Sequence, residues 1–407
     1  MNIQHYVKEL FPLSNAHTQK KILYIHHGTG LGGAPLSLLY LINSLDKTLY
    51  QPEVLFLHDS EVINLYKTHG IITHGPVNRM DFSHTVMSWY SLRHIHRLVK
   101  SIIDSLITYF ILAPRLLKQL NPDMIHLNTS TLTAWGLAAH KLTIPIVWHI
   151  RESLAPGYFG IRKTIIKKII EQCATKIIAI CATDGQPWRH SPKLNIIYNA
   201  VDTTQFNPTK YTTKPQKTIL FLGGIAQQKG ALFFLEVFTL LRKKMPEVHA
   251  IIAGNTTIPT ITLLHKLSGS ATYYKKLKEK INEEKDALTL VGLSHNIPEL
   301  LANCNILVFP AQVDHFARPV IEAGCMQKTV IASQSPHLKE LIINNQTGIL
   351  VAYGNHQDWV HALETILTND AFNTFLATNA YRYCSTTFSL ERQTILINEL
   401  YKKTYNI

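Results

Sequence analysis

Two series of short β-branched runs, each alternating with longer stretches of helical periodicity, constrain this chain more than any other feature of it. Short apolar runs bounded by turns read as strands buried on both faces, and strands linked by helices build parallel sheets from βαβ units. The first series predicts strands over Lys21–His27, Glu53–His58, Asp123–Asn128, Ile144–Ile150, Lys176–Cys181 and Leu194–Asn199. A polar stretch with two prolines and no periodicity, residues 203–217, then reads as a linker. The pattern restarts with strands predicted over Thr218–Gly223, Val248–Gly254, Leu288–Gly292, Asn305–Pro310, Lys328–Ser333 and Gly348–Val351. The expectation is an α/β protein of two Rossmann-like domains, 1–205 and 206–385. A last helix over 386–407, with apolar positions Leu390, Ile395, Leu396, Leu400 and Tyr401, is free by its pattern to pack on either domain.

A length of 407 residues suits two cores of ordinary size. The five cysteines are scattered and never form a C-x-x-C pair, which fits neither a disulfide framework nor a zinc site and points to a reducing compartment. The longest apolar stretch, Ile102 to Leu112, is interrupted by Asp104 and falls short of the ~20 residues a spanning helix needs. The N-terminus lacks the layout of a signal peptide, so a cytoplasmic location is expected. The formal charge of +13 favours phosphate-rich partners without choosing among them, and no nucleic-acid-binding module is recognisable.

Two segments carry chemistry. Gly28, Gly30 and Gly33 satisfy G-x-G-x-x-G between a strand and a helix. Glycines there permit positive φ and close approach of a phosphate to helix N-terminal amides. Alone, this turn fits a dinucleotide-binding dehydrogenase with Asp59 as ribose partner, or a tight turn with no ligand. The segment DHFARPVIEAG, Asp314 to Gly324, follows a strand, where open α/β sheets bind ligands, and Pro319 is placed to begin a helix. Asp314 and Glu322 bracket that helix start and suit a polyol–phosphate–polyol ligand; the same spacing is met by a turn-capping Asp314 and a solvated Glu322.

This segment resembles the E-x7-E motif of the family 4 glycosyltransferases of GT-B fold, in its EPFGRPVIEAM form. The segments LGGAPLSL, VWHIRE, IIYNAVDTTQFNP and FLGGIAQQKG resemble, in order, the family's glycine loop, its active-site histidine strand, its interdomain segment and its F-V-G-R-L-x-x-x-K-G step. The resemblance spans nearly the whole chain. It implies two domains facing across a cleft and retaining transfer of a sugar from a nucleoside-diphosphate sugar, of UDP or GDP, to a glycan or lipid-linked acceptor in envelope or polysaccharide biosynthesis. Residue by residue, it implies that Lys229 neutralises the departing diphosphate, Glu322 binds ribose, and Asp314 holds the transferred sugar. The amides of Phe316, Ala317 and Val320 would assist, His149 would reach the sugar, and Gly33 would lie near phosphate and acceptor. No cofactor and no metal are implied; D-x-D is absent from the chain.

Three positions depart from the family pattern. Asp314 is one methylene shorter than glutamate, Gly224 stands where the family has arginine, and Ala317 replaces a glycine. Arg318 is a candidate replacement for the lost arginine. The loss also motivates an alternative, a non-catalytic descendant that binds nucleotide or glycan. Leu92, Ile95, Val99, Ile102 and Leu106 recur at helical spacing opposite basic residues, and Arg162–Ile170 repeats the theme. Such helices normally pack on their own sheet; an anionic membrane surface is the other reading, making the protein peripheral on the inner membrane face.

Overall fold

The computed structural model describes residues 19–28, 30, 32–79, 95–212, 217–260, 270–294 and 296–405. Two compact units divide the chain: residues 1–200 with 390–407, and residues 201–389.

The first unit is built on a seven-stranded sheet, β1 (Lys20–His26), β2 (Tyr50–Phe56), β3 (Ile72–His74), β4 (Met124–Leu127), β5 (Ile146–Ile150), β6 (Lys176–Ala179) and β7 (Leu194–Ile196), in the order β3-β2-β1-β4-β5-β6-β7. The described pairings are parallel. The central strands β4 and β5 are buried throughout, as their unbroken apolar runs require. Helices α1 (Gly33–Ser44) and α2 (Glu61–Thr68) bury Leu38, Ile42, Val62 and Tyr66 on one face. On the other face lie α3 (Ile95–Ile107), a π-helical turn Thr108–Leu112, α4 (Ala113–Leu120), α5 (Thr133–Lys141) and α6 (Ile161–Cys173), followed by the short α7 (Ala182–Gly185). Each fully buried Leu, Ile or Phe contributes about 1.5–3 kcal/mol.

The second unit has six strands, β8 (Thr218–Leu222), β9 (His249–Ala253), β10 (Leu288–Val291), β11 (Ile306–Phe309), β12 (Thr329–Ser333) and β13 (Ile349–Val351), in the order β10-β9-β8-β11-β12-β13. Its helices are α8 (Ala231–Arg242), α9 (Ser270–Glu283), α10 (Ile297–Ala302), α11 (Arg318–Cys325), α12 (Pro336–Leu341), α13 (His356–Thr368) and α14 (Asp370–Thr387). Its pairings are likewise parallel.

The last helix, α15 (Leu390–Tyr405), returns to the first unit. Ile397, Leu400 and Tyr401 are buried against Ile22, Tyr24, Val147 and Ile178. Ile395, expected on the buried side, is 47% exposed, and Ile397 occupies the buried stripe instead.

The expected strands are present with ends within three residues of those expected, and β3 went unread: three residues at a sheet edge give no apolar run. The five cysteines are free and buried. Of the two readings of the stripe at Val99, Ile102 and Leu106, packing on the sheet does not hold, for they stand 50%, 44% and 51% exposed. The inward position is taken by Asp104, whose carboxylate meets Arg79 at 2.6 Å. Leu92 lies outside the described residues.

Candidate functional site

In the second sheet β8 and β11 are neighbours, with Phe221 opposite Val308, so their carboxyl ends open side by side. The turn after β8 is stitched to the loop after β11. The amides of Gln312 and Val313 donate to the Gln228 carbonyl at 3.1 and 3.4 Å. Gly230, at φ +82°, presses on Pro310, whose carbonyl oxygen would lie 1.9 Å from any Cβ there. This contact is why the K-G step needs its glycine: it seats Lys229 beside the acidic loop.

Lys229 Nζ donates to His315 Nε2 at 2.7 Å, and His315 Nδ1–H donates to the Val313 carbonyl at 2.7 Å. Burial lowers the Lys229 pKa. Burial first, and the Lys229 charge second, push His315 down to about 4, so its neutral ring accepts the lysine proton. His315 went unnoticed in the sequence because it lies between Asp314 and Phe316, the two positions to which the resemblance assigned roles.

Asp314 turns toward the start of α12. It accepts from Ser335 Oγ at 2.5 Å and lies 2.9 Å from His337 Nδ1. Burial raises its pKa, but His337 and Ser335 outweigh that and hold the carboxyl below its usual range. Arg318 folds along α11, placing Nε 3.0 Å and Nη2 2.9 Å from Glu322 Oε1. The carboxylate expected at ribose and the arginine expected at phosphate are therefore paired with each other. The Val320 amide donates to the Ala317 carbonyl at 3.2 Å, within the turn. Phe316 packs edge-on to Phe388, and Ala317 has φ −110°, so losing glycine there costs nothing in strain.

Gly224 has its own reason. Its φ is +59°, and a Cβ would lie 2.4 Å from the Asn255 carbonyl oxygen. An arginine cannot stand there without moving the backbone, so its absence reflects the tight turn after β8.

In the first unit Gly33 opens α1 behind Gly32. The turn permits positive φ at Gly28 and Gly30, but neither adopts it; Gly28 instead makes room for His26, whose Nε2 would lie 2.8 Å from a Cβ. Thr29 and Leu31 lie outside the described residues. His149, fully buried near the end of β5, places Nδ1 3.0 Å from His126 Nε2. Asn128 bridges the neighbouring groups: its Nδ2 donates to His26 Nδ1 at 3.0 Å while its Oδ1 accepts from Arg151 Nε at 2.5 Å. Arg151 also donates to Asn199 Oδ1 at 2.8 Å. Burial first and Arg151 second lower the histidine pKa values, His26 to about 3, with His126 and His149 well below normal. Glu152 anchors this loop by accepting from Thr129 Oγ1 and from the Ser130 amide and hydroxyl.

Lys229, Asp314 and Glu322 thus share one end of the second sheet, while His149 and Gly33 belong to the first unit.

Comparison with known proteins identifies the family and the fold. Residues 31–205 match the family model "Glycosyltransferase Family 4", and residues 203–383 match "Glycosyl transferases group 1". Among similar proteins, the N,N'-diacetylbacillosaminyl-diphospho-undecaprenol alpha-1,3-N-acetylgalactosaminyltransferase of Campylobacter jejuni is 23% identical over 67% of this chain and 74% of its own. The UDP-Gal:alpha-D-GlcNAc-diphosphoundecaprenol alpha-1,3-galactosyltransferase of Escherichia coli is 22% identical over 70% and 77%. The crystal structure of HepE from Anabaena with UDP superposes over 94% of this chain and 100% of its own, with TM-score 0.74 and 18% identity. The same protein with UDP-glucose gives TM-score 0.71 over 94% and 99%, again at 18% identity. These structures share the fold.

Proposed function

The chain belongs to family 4 of the glycosyltransferases, with the GT-B fold, and we propose that it moves a sugar from a UDP-sugar to a hydroxyl of a lipid-diphosphate-linked glycan with retention of anomeric configuration. The observation that carries this reading is Lys229 bonded to His315, in the loop that begins at Asp314 and leads into the helix of Glu322, at the joined ends of β8 and β11. The activities for which the two relatives are named, both on undecaprenol-diphosphate acceptors, and the UDP complexes of HepE support the choice of partners.

Breaking the anomeric C–O bond puts oxocarbenium character on the sugar and negative charge on the leaving diphosphate. Among the described residues the Lys229 ammonium hydrogen-bonds the neutral ring of His315, a partner readily exchanged for a phosphate oxygen. A preorganised cation at the growing charge is worth several kcal/mol, about 2.7–4 by analogy with a single oxyanion donor. Arg318 is paired with Glu322 on the ribose side, so the diphosphate falls to Lys229. Asp314, anchored by Ser335 and His337, presents its carboxylate to sugar hydroxyls.

No helix among the described residues is long and apolar enough to cross a membrane. The exposed apolar residues Val99, Ile102, Ile103, Leu106, Phe110 and Ile111 form one outward stripe, and Phe159, Ile161 and Ile165 form a second. Helix α5 packs against both the π-helical turn and α6, so the two stripes flank it on one face of the first unit. Exposed Lys100, Arg115, Lys118, Lys163 and Lys168 surround them. Apolar residues ringed by cations suit an anionic bilayer, where a lipid-linked acceptor resides.

The test is transfer from a panel of UDP- and GDP-sugars to a polyprenyl-diphosphate-linked N-acetylhexosamine, with the product's anomeric coupling read by NMR. An α product from an α donor supports the proposal. A β product overturns retention, and no transfer from any donor overturns the activity.

A further inference from the structure

A chain of buried hydrogen bonds runs from the last helix to the candidate site. Tyr24 Oη lies 2.9 Å from Tyr401 Oη, Tyr401 Oη lies 2.8 Å from His126 Nδ1, and His126 Nε2 lies 3.0 Å from His149 Nδ1. All four side chains are fully buried. At the far end, His149 Nε2 has no partner among the described residues.

The direction of this chain follows from counting protons. Among the described residues Tyr401 is the sole hydrogen-bond partner of Tyr24. Three bonds join four groups with one proton each, so either direction leaves one buried donor over. It is the Tyr24 O–H in the packed core or the His149 N–H at the end assigned to a sugar that can take it, and the second costs less. Tyr24 therefore donates to Tyr401, which leaves the Tyr401 proton for His126 Nδ1. His126 then carries its proton on Nε2 and gives it to His149 Nδ1. His149 must carry its own proton on Nε2. In the reverse direction, His149 would offer a bare nitrogen and the Tyr24 hydroxyl would have nothing to bond. Burial keeps both phenols protonated and both imidazoles neutral, so one proton sits on each ring.

We propose that Tyr401, acting through His126, is a positioning residue that holds His149 as the Nε2–H tautomer, giving the site a neutral donor for a sugar hydroxyl or ether oxygen. This rests on the assignment of His149 to the transferred sugar and adds to it. A neutral N–H binds a sugar oxygen without opposing the positive charge that develops on the ring in the transition state, whereas an imidazolium would oppose it. The relay also gives the returning helix a role beyond packing: its Tyr401 sets which atom of a residue 252 positions earlier in the sequence carries hydrogen.

The experiment is ¹H–¹⁵N correlation of histidine side chains in the full-length, ¹⁵N-histidine-labelled protein, with signals assigned by their loss in His126→Gln and His149→Gln. In the wild type both rings should be protonated at Nε2 alone. Tyr401→Phe keeps the ring and deletes the donor, so the ratio of Nε2–H to Nδ1–H at His149 should fall roughly five- to tenfold, and kcat should fall by a similar factor. His149 protonated at Nδ1 in the wild type, or unchanged tautomers in Tyr401→Phe, overturns the proposal. The wild-type spectrum decides the first point whether or not the variant folds. If Tyr401→Phe shifts the tautomers while His149→Ala turns over at the wild-type rate, the relay stands and the assignment of His149 to the reaction fails.

Discussion

The ammonium of Lys229 is 2.7 Å from Nε2 of His315, a ring kept neutral by burial and by that same ammonium. The pair stores a cation beside the acidic loop without neutralising it. Lys229→Met should leave folding intact and lower kcat by about 10²–10³-fold. Burial also lowers the lysine pKa, so the alkaline limb of the kcat/KM profile should fall below the ~10.4 of an ordinary lysine. A limb at the ordinary value, or a Lys229→Met enzyme at full rate, contradicts this role.

Gly224 separates a missing function from a forbidden one. Restoring the family's arginine forces a side chain into φ +59° and against the Asn255 carbonyl. Gly224→Arg should cost at least ~1–3 kcal/mol in urea denaturation and should not tighten nucleotide binding. Tighter UDP binding at unchanged stability speaks against the steric account.

Acid should weaken the fold through its buried histidines. His26 and His315 have folded pKa values of about 3 and about 4, against 6.5 in the unfolded chain. Their contribution is complete above pH 6.5. It declines as pH falls from there toward the folded values, because only the unfolded chain takes up the protons. Each such histidine removes up to about 1.4 kcal/mol per pH unit over that window. The denaturation midpoint should drop between pH 7 and pH 5, less steeply in His315→Phe; an unchanged midpoint contradicts the burial argument.

Membrane docking is open to a direct assay. The wild type should sediment with anionic vesicles at low salt and release at high salt. The substitutions Phe110→Glu and Ile165→Glu lie on exposed stripes, so the fold should survive and binding should fall at least tenfold. Equal binding to neutral and anionic vesicles, or retained binding in the double variant, removes the proposal.

Strand positions were legible because β-branched runs must be buried on both faces of a parallel sheet, whereas strand ends, which no such run marks, were read only to within three residues. The edge strand Ile72–His74 escaped because it lacks that burial. The acidic loop was legible as a segment, but not the pairing of Arg318 with Glu322, which depends on rotamers chosen along α11. Tyr401 read only as a packing residue: its partners Tyr24 and His126 lie hundreds of residues earlier, and no local pattern encodes such a meeting. The amphipathic stripe near Ile102 was visible by its period, yet period alone does not say which way a helix turns its apolar side.

Nucleotide-sugar binding to the second unit tests the central claim most directly. UDP-sugars should be titrated into wild type, Lys229→Met and Glu322→Gln while thermal unfolding is followed. The wild type should gain about 2.7 kcal/mol at a hundredfold excess over Kd, with most of that gain lost in both variants. No stabilisation of the wild type by any nucleoside-diphosphate sugar, or equal stabilisation of all three proteins, would contradict a donor held by Lys229 and Glu322.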